Sequence, residues 1–231
     1  MPKTAQYQKE AYLKDPVEIA GNLEEMFPND AAITICDLGA CDGLDSIRYA
    51  RMFPQATVHA FEARADNYDE LVVNINLFGM EGRIIPHCAC LSNAVGQVPF
   101  YESAGDSKYK KDWDSGNKSS SMFQPRHHLI DHQWCTFKPT TIETKRFDSF
   151  GIDKVDFLHL DVQGAELLVL EGMGAVLDTL KMIWMEASNR ESYKGQPLRP
   201  DVFRWMQAHG FNCARDLKSL RWASGDMLWC K

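Results

Sequence analysis

At 231 residues the chain is long enough to bury a full hydrophobic core and short enough that one domain, spanning residues 1–231, is the default. Its 45% hydrophobic and 25% charged residues exclude extended disorder, and its net charge of -7 makes nucleic acid an unlikely partner. Seven scattered cysteines form no disulfide framework, and neither a secretion signal nor an apolar run of about 18 residues is visible, so the sequence predicts a cytoplasmic protein without membrane insertion.

In chain order, an N-terminal helical segment is expected over residues 5–28, with Val17, Ile19, Ala20, Leu23, Met26 and Phe27 recurring near helical spacing from Pro16 onward. Ala32 to Leu38 reads as a central parallel strand, Gly39 to Gly43 as a turn, and Leu44 to Phe53 as a helix. The unit then repeats: Thr57 to Phe61 as a strand, Asn67 to Phe78 as a helix, and Arg83 to Leu91 as a third strand. Residues 102–139 break the pattern. A structureless connection of that length is unusual, so a hairpin and a lid or substrate loop are expected there, against the alternative of a plain surface insertion. Strand and helix resume at Val155 to Asp161 and Ala165 to Leu170, followed by Gly172 and Gly174, a short helix from Ala175, and a strand from Lys181 to Glu186. A helix over Val202 to His209 precedes an antiparallel pair, Phe211 to Arg215 with Met227 to Cys230. This alternation predicts an α/β fold with a doubly wound, mostly parallel sheet, whose ligand crevice lies beyond the carboxyl ends of the strands.

At that end, glycine in the turn after the first strand allows close backbone approach, and the amides of the following helix face a polar ligand. Glu62, ending the second strand 25 positions after Asp37, is placed to accept hydrogen bonds from ribose hydroxyls. Asp37 would either orient the turn or bind an amino group through water. The absence of a full G-x-G-x-x-G pattern speaks against a pyrophosphate-bearing dinucleotide. A tight structural turn with an unrelated surface glutamate is the alternative.

Several blocks in order carry a resemblance to a known family. Asp37-Leu38-Gly39-Ala40-Cys41-Asp42-Gly43 resembles the loop D-[IV]-G-A-N-x-G, and His59-Ala60-Phe61-Glu62 with Asn67, Leu71, Asn74 and Asn76 is similar to its FEP-x-x-x-N helix entry. Ala89-Cys90-Leu91-Ser92 with Gly96 resembles the third-strand region, and Phe147-Asp148-Ser149-Phe150 the approach to strand four. Most specific is Asp161-Val162-Gln163-Gly164-Ala165-Glu166 with Leu170 and Gly172, which resembles D-[VI]-E-G-x-E-x-x-[VI]-L-x-G. These are motifs of the FkbM-type S-adenosylmethionine-dependent methyltransferases. Three positions depart from the pattern: Cys41 stands for Asn, His159 for Lys and Gln163 for Glu.

The resemblance implies a class I methyltransferase fold with seven strands and one antiparallel, chain-terminal strand. It implies S-adenosylmethionine as cofactor, held by Asp37, Gly39, Ala40, Cys41, Gly43, Glu62 and Ala89, and methyl transfer to a hydroxyl of a sugar or small natural product. Such a displacement needs alignment, exclusion of water and removal of the acceptor proton. Asp161, His159 and Glu186 are the expected catalytic groups near the strand ends. Asp161 would act as orienter or proton acceptor, or cap the next helix together with Glu166. His159 would act as a neutral general base or hydrogen bond within the sheet. Glu186 would face the crevice or pair at the sheet's edge, and Asp161 with Glu186 is also a possible divalent-metal pair. From the insertion, Ser119, His127 and His132 are candidate substrate contacts, and Trp113, Phe123 and Trp134 candidate shields. A nucleotide-dependent oxidoreductase and a noncatalytic cofactor-binding module remain the competing readings.

Overall fold

The computed structural model describes residues 3–105, 116–217 and 224–231. The chain begins with α1 (Lys3–Tyr12) and α2 (Ala20–Met26). The single helix expected from Pro16 is therefore shorter than the apolar recurrence suggested. Val17 and Ile19 are buried in the same core cluster as Leu23 and Phe27, and they reach it from outside the helix. The helix α1 shows no apolar stripe in the sequence. It docks through Lys9, which is fully buried, ion-paired with Glu70 and donating to Asn74 Oδ1 at 3.0 Å.

The body follows as β1 (Thr34–Leu38), α3 (Leu44–Met52), β2 (Thr57–Glu62), α4 (Ala65–Leu77), β3 (Ile84–Cys88) and β4 (Cys90–Leu91). Next come β5 (Gly96–Gly105), α5 (His128–Asp131), β6 (Cys135–Lys145), β7 (Phe157–Leu160), α6 (Glu166–Glu171), β8 (Met182–Ser188), α7 (Arg199–Ala208), β9 (Asn212–Asp216) and β10 (Ser224–Cys230). Seven strands form one sheet in the order β3-β2-β1-β7-β8-β10-β9. Only β10 runs against its neighbours, as the expected chain-terminal antiparallel strand.

The third strand differs from expectation, because it breaks at Ala89. Ile84 to Cys88 stays in the large sheet, while Cys90-Leu91 pairs with β6 in a second, three-stranded sheet. The expected hairpin is also longer and starts earlier than residue 102. β5 and β6 pair from Gly96↔Thr144 to Gly105↔Cys135, so the insertion proper is the segment between their tips. Lys108, Lys110, Lys111 and Trp113 lie outside the described residues.

Alternation along the central strands buries both faces of the sheet, as parallel strands covered by helices require. In β8, Met182 and Trp184 join the core beneath α2 and α3, while Ile183 and Met185 join the core beneath α6 and α7. No helix among the described residues is long and apolar enough to cross a membrane.

Trp229 on β10 is fully buried, edge-on to Phe203 at 5.0 Å, and its indole N–H has no hydrogen-bond partner among the described residues. Trp229→Ala is expected to lower the unfolding free energy by about 3–5 kcal/mol. Trp229→Phe should cost clearly less, since it keeps most ring contacts and removes an unsatisfied donor. Urea midpoints check this, and equal losses for the two variants would contradict it.

Candidate active site

Three strands end at a common level. The Gly39 and Ala40 amides both donate to Phe61 O at 2.9 Å, joining the β1 loop to β2, and the Asp161 amide donates to Leu38 O at 3.0 Å, joining β7 to β1. Gly39 has φ +90, and a Cβ there would lie 1.9 Å from the Asp161 carbonyl oxygen. Glycine is thus required twice over, by backbone conformation and by the close approach of β7. Gly43 plays a similar part at the start of α3, where a Cβ would meet Leu71 Cδ1 at 2.1 Å.

Over these ends lies a narrow crevice lined by Gly39, Cys41, Glu62, Ala89 and Asp161, with Phe61, Leu91 and Phe100 as apolar walls. Glu62 is buried. Its Oε2 accepts from the Cys41 amide at 2.9 Å and its Oε1 from the Arg64 amide at 2.8 Å, so the loop and the start of α4 fix the carboxylate from both sides. Burial raises its pKa while those amides pull it down. The buried Asp42 Oδ2 accepts no hydrogen bond among the described residues, with Lys118 Nζ 3.9 Å away. Asn117, Lys118, Ser120 and Met122 lie across the crevice and leave about 60 Å³ open. This strap is tied down by the mutual amide contacts of Asn67 and Asn117 and by Ser120 Oγ, which accepts from the Ser103 amide at 2.9 Å.

A second, wider space of about 290 Å³ adjoins the first. Glu186 and Ser224 face it from β8 and β10, Ser119, His128 and His132 from the insertion, and Tyr193 from the loop after β8. Gln163 lines both spaces. Enclosure raises the Glu186 pKa to about 8, helped by the charges of Asp161, Glu166 and Asp226, while Ser224 Oγ donates to Glu186 Oε1 and opposes the shift. Burial likewise raises Asp161, against the Gln163 amide and the His159 charge, and carries Glu166 to about 7 and Asp226 to about 6.

The expected site residues divide accordingly. Gly39, Cys41, Glu62, Ala89 and Asp161 line the crevice, and Glu186 lines the wider space; Asp37, Ala40, Gly43 and His159 line neither. Asp37 and His159 are register partners on β1 and β7 and turn to the α3 side. There Asp37 Oδ2 accepts from Ser46 Oγ at 2.5 Å, and Asp37 Oδ1 lies 3.1 Å from His159 Nδ1, an ion-pair distance without hydrogen-bond alignment. Burial pushes the imidazole pKa down, but Asp37, with Asp45 and Asp161, carries it up to about 9. The imidazole thus sits beside Asp37 and away from both spaces, with its pKa shifted toward the charged form, the geometry of the expected alternative of a contact within the sheet. Glu166 Oε1 accepts from the Val162 and Gly164 amides at 3.2 and 3.0 Å, holding the loop after β7.

From the insertion, Ser119 and His132 reach the wider space, whereas His127 Nδ1 is 2.7 Å from Glu191 O. Among the described residues no group of three His, Cys, Asp or Glu side chains is placed to hold a metal ion, so Asp161 and Glu186 have no third protein ligand there. Sequence reasoning missed Tyr193, Ser224 and Asp226. Asp226 is brought beside Glu186 by the antiparallel register of β10 with β8, for which the sequence carries no local signal.

The Methyltransferase FkbM domain model matches residues 37–213 of the chain. A protein named 2-O-methyltransferase NoeI, from Sinorhizobium fredii, is 34% identical over 171 residues, covering 71% of this chain and 68% of that one. Methyltransferase sdnD of Sordaria araneosa is 26% identical over 200 residues, covering 79% and 74%. The crystal structure of methyltransferase FkbM from Methylobacillus flagellatus KT superposes with a TM-score of 0.59 at 13% identity over 96% of this chain, which spans about half of that protein, 49%. At that identity the likeness establishes the fold.

The raised His159 pKa has a consequence for stability. The folded chain binds more protons than the unfolded chain between about pH 6.5 and the folded value near 9, so the ion pair stabilises fully below about 6.5 and is lost as pH rises through 9. The difference in unfolding free energy between wild type and His159→Gln is expected to shrink by on the order of 3 kcal/mol from pH 6 to pH 10. A difference that stays constant across that range would contradict the assignment.

Proposed function

We propose, from the premise that this chain belongs to the Methyltransferase FkbM domain family, that it transfers a methyl group from S-adenosylmethionine to a hydroxyl oxygen of a small acceptor such as a sugar. The observation that carries this reading is the pair of adjoining spaces, one bounded by Glu62 and Asp161 and the other lined by residues with polar groups, with Gln163 in the wall of both.

Residues of the crevice suit a nucleoside. Glu62 Oε2 accepts from the Cys41 amide and keeps a lone pair for a ribose hydroxyl, while Oε1 already accepts from the Arg64 amide and the Asn67 side chain, and Phe61 and Leu91 offer apolar faces. Small-molecule pockets generally need several hundred Å³, so the 117–122 strap must lift to admit such a ligand. S-adenosylmethionine, when bound, supplies an electrophilic methyl group on a sulfonium that departs as a neutral thioether.

The chain's own work is to hold the acceptor and receive its proton. Asp161 lines the crevice beside Gln163, with a pKa raised by burial, and takes the hydroxyl proton as the oxygen–methyl bond forms. Glu186, its pKa raised to about 8 by burial, offers hydrogen bonds to the acceptor's other hydroxyls together with Ser224, Ser119 and Tyr193. His159 acts behind the sheet, where its charge compensates Asp37 and favours the ionised form of Asp161. Relatives bearing methyltransferase names support this reading over an oxidoreductase.

Glu62→Gln is expected to weaken S-adenosylhomocysteine binding roughly tenfold or more by calorimetry while circular dichroism stays unchanged. Undiminished affinity in the folded variant would remove Glu62 from the ribose site. Asp161→Asn should cost on the order of 100-fold or more in transfer of isotopically labelled methyl to a panel of monosaccharide and glycoside acceptors. Turnover at the wild-type rate would exclude Asp161 as the proton acceptor.

A further inference from the structure

Gln163 has φ +55, one of two non-glycine left-handed positions among the described residues, the other being Cys41 at +50. L residues rarely adopt that conformation, so the local fold is directing this side chain rather than leaving it to solvent. Its side-chain nitrogen donates to Asp161 Oδ1 at 2.6 Å, and its side-chain oxygen accepts from the Tyr193 hydroxyl at 2.8 Å. Its backbone oxygen accepts from Ser121 Oγ at 2.7 Å, which fastens the strap to the loop after β7.

An amide has a donor end and an acceptor end, and something must decide which faces Asp161. Tyr193 and Asp161 do so together. The phenol is buried beside Glu186 and Asp161, which pushes its pKa well above the ordinary value and keeps its proton in place. The hydroxyl lies 2.8 Å from both the Gln163 side-chain oxygen and Ser119 O, and an ionised Asp161 can only accept, so the amide fits with its oxygen end on Tyr193 and its NH2 end on the carboxylate.

We propose that Gln163, held between Tyr193 and Asp161, is a positioning residue that favours the ionised form of Asp161 and fixes its carboxylate in the crevice wall. The inference rests on the reading of Asp161 as proton acceptor and adds the device that prepares it. The preparation is needed because the surroundings oppose ionisation. Asp37 from β1, Glu166 from α6, Glu186 from β8 and Asp226 from β10 all bring carboxyl groups near Asp161, and His159 from β7 is the compensating cation. A charge-assisted hydrogen bond from an uncharged amide favours the carboxylate without adding another charge to that crowd.

The test needs no acceptor. In the full chain labelled with carboxyl carbon-13 aspartate, the Asp161 signal is assigned by its loss in Asp161→Asn and followed against pH in wild type, Gln163→Met and Gln163→Glu. Gln163→Met is expected to raise the Asp161 midpoint by about one pH unit, and Gln163→Glu to raise it further because two carboxyls then share the site. Circular dichroism serves as the check that each variant is folded. A Gln163→Met titration superimposed on wild type overturns the proposal; should that variant fail to fold, an unshifted midpoint in the nearly isosteric Gln163→Glu overturns it instead. Raised midpoints together with normal turnover in Asp161→Asn would keep the Gln163 coupling and remove the base assignment, whereas unshifted midpoints with an inactive Asp161→Asn would do the reverse.

Discussion

The carbonyl oxygen of Asp161 fills the space where residue 39 would carry a Cβ, and that contact between the ends of β1 and β7 sets the geometry of everything above the sheet. It forces glycine at 39 and brings Asp161 into the wall of the crevice. The two amides that follow, at Gly39 and Ala40, then turn onto Phe61 O, which draws Glu62 beneath the Cys41 amide. Two carboxylates from different strands therefore bound one narrow space because three strand ends are locked in register. A displacement at any one of them would move both acids.

Charge is distributed unevenly around this junction. On the α3 side, Asp37 lies 3.1 Å from the His159 ring and favours its charged form beneath Tyr49, whose ring lies 5.7 Å from the imidazole. On the crevice side, Asp161, Glu166, Glu186 and Asp226 crowd together and hold one another's protons longer than isolated acids would. Buried carboxyls without full compensation weaken a fold, and such clusters are characteristic of places where a functional site departs from stable packing. Arg199 supplies part of the missing positive charge, donating to the Ala187 and Gly225 carbonyls and pairing with Asp216, so that β8, β9 and β10 stay together around the wider space.

The sheet was legible because each central strand is a short run of apolar residues between turn signals, and the strand ends fell within a few residues of where Leu38, Glu62 and Leu160 mark them. The position of Glu62 in the crevice wall was legible for the same reason, since it follows from its place at a strand end. Asp37 and His159 were not, because their residue types suit either side of a parallel strand, and only the neighbouring register and Ser46 on α3 decide the direction. The exchanges of Asn for Cys41 and Glu for Gln163 were visible as letters, but not that both sit at left-handed backbone positions. Tyr193, Ser224 and Asp226 enter the site through long-range pairing, and α1 through a buried lysine, neither of which leaves a periodic trace in the chain.

The central claim is that the space bounded by Glu62 and Asp161 holds an adenosyl group with its reactive end toward Gln163. A crystal structure with S-adenosylhomocysteine bound tests it most directly. The account predicts ribose hydroxyls on the Glu62 carboxylate, a displaced 117–122 strap and the sulfur facing the wider space. A ligand seated elsewhere, or one whose ribose does not touch Glu62, would contradict it.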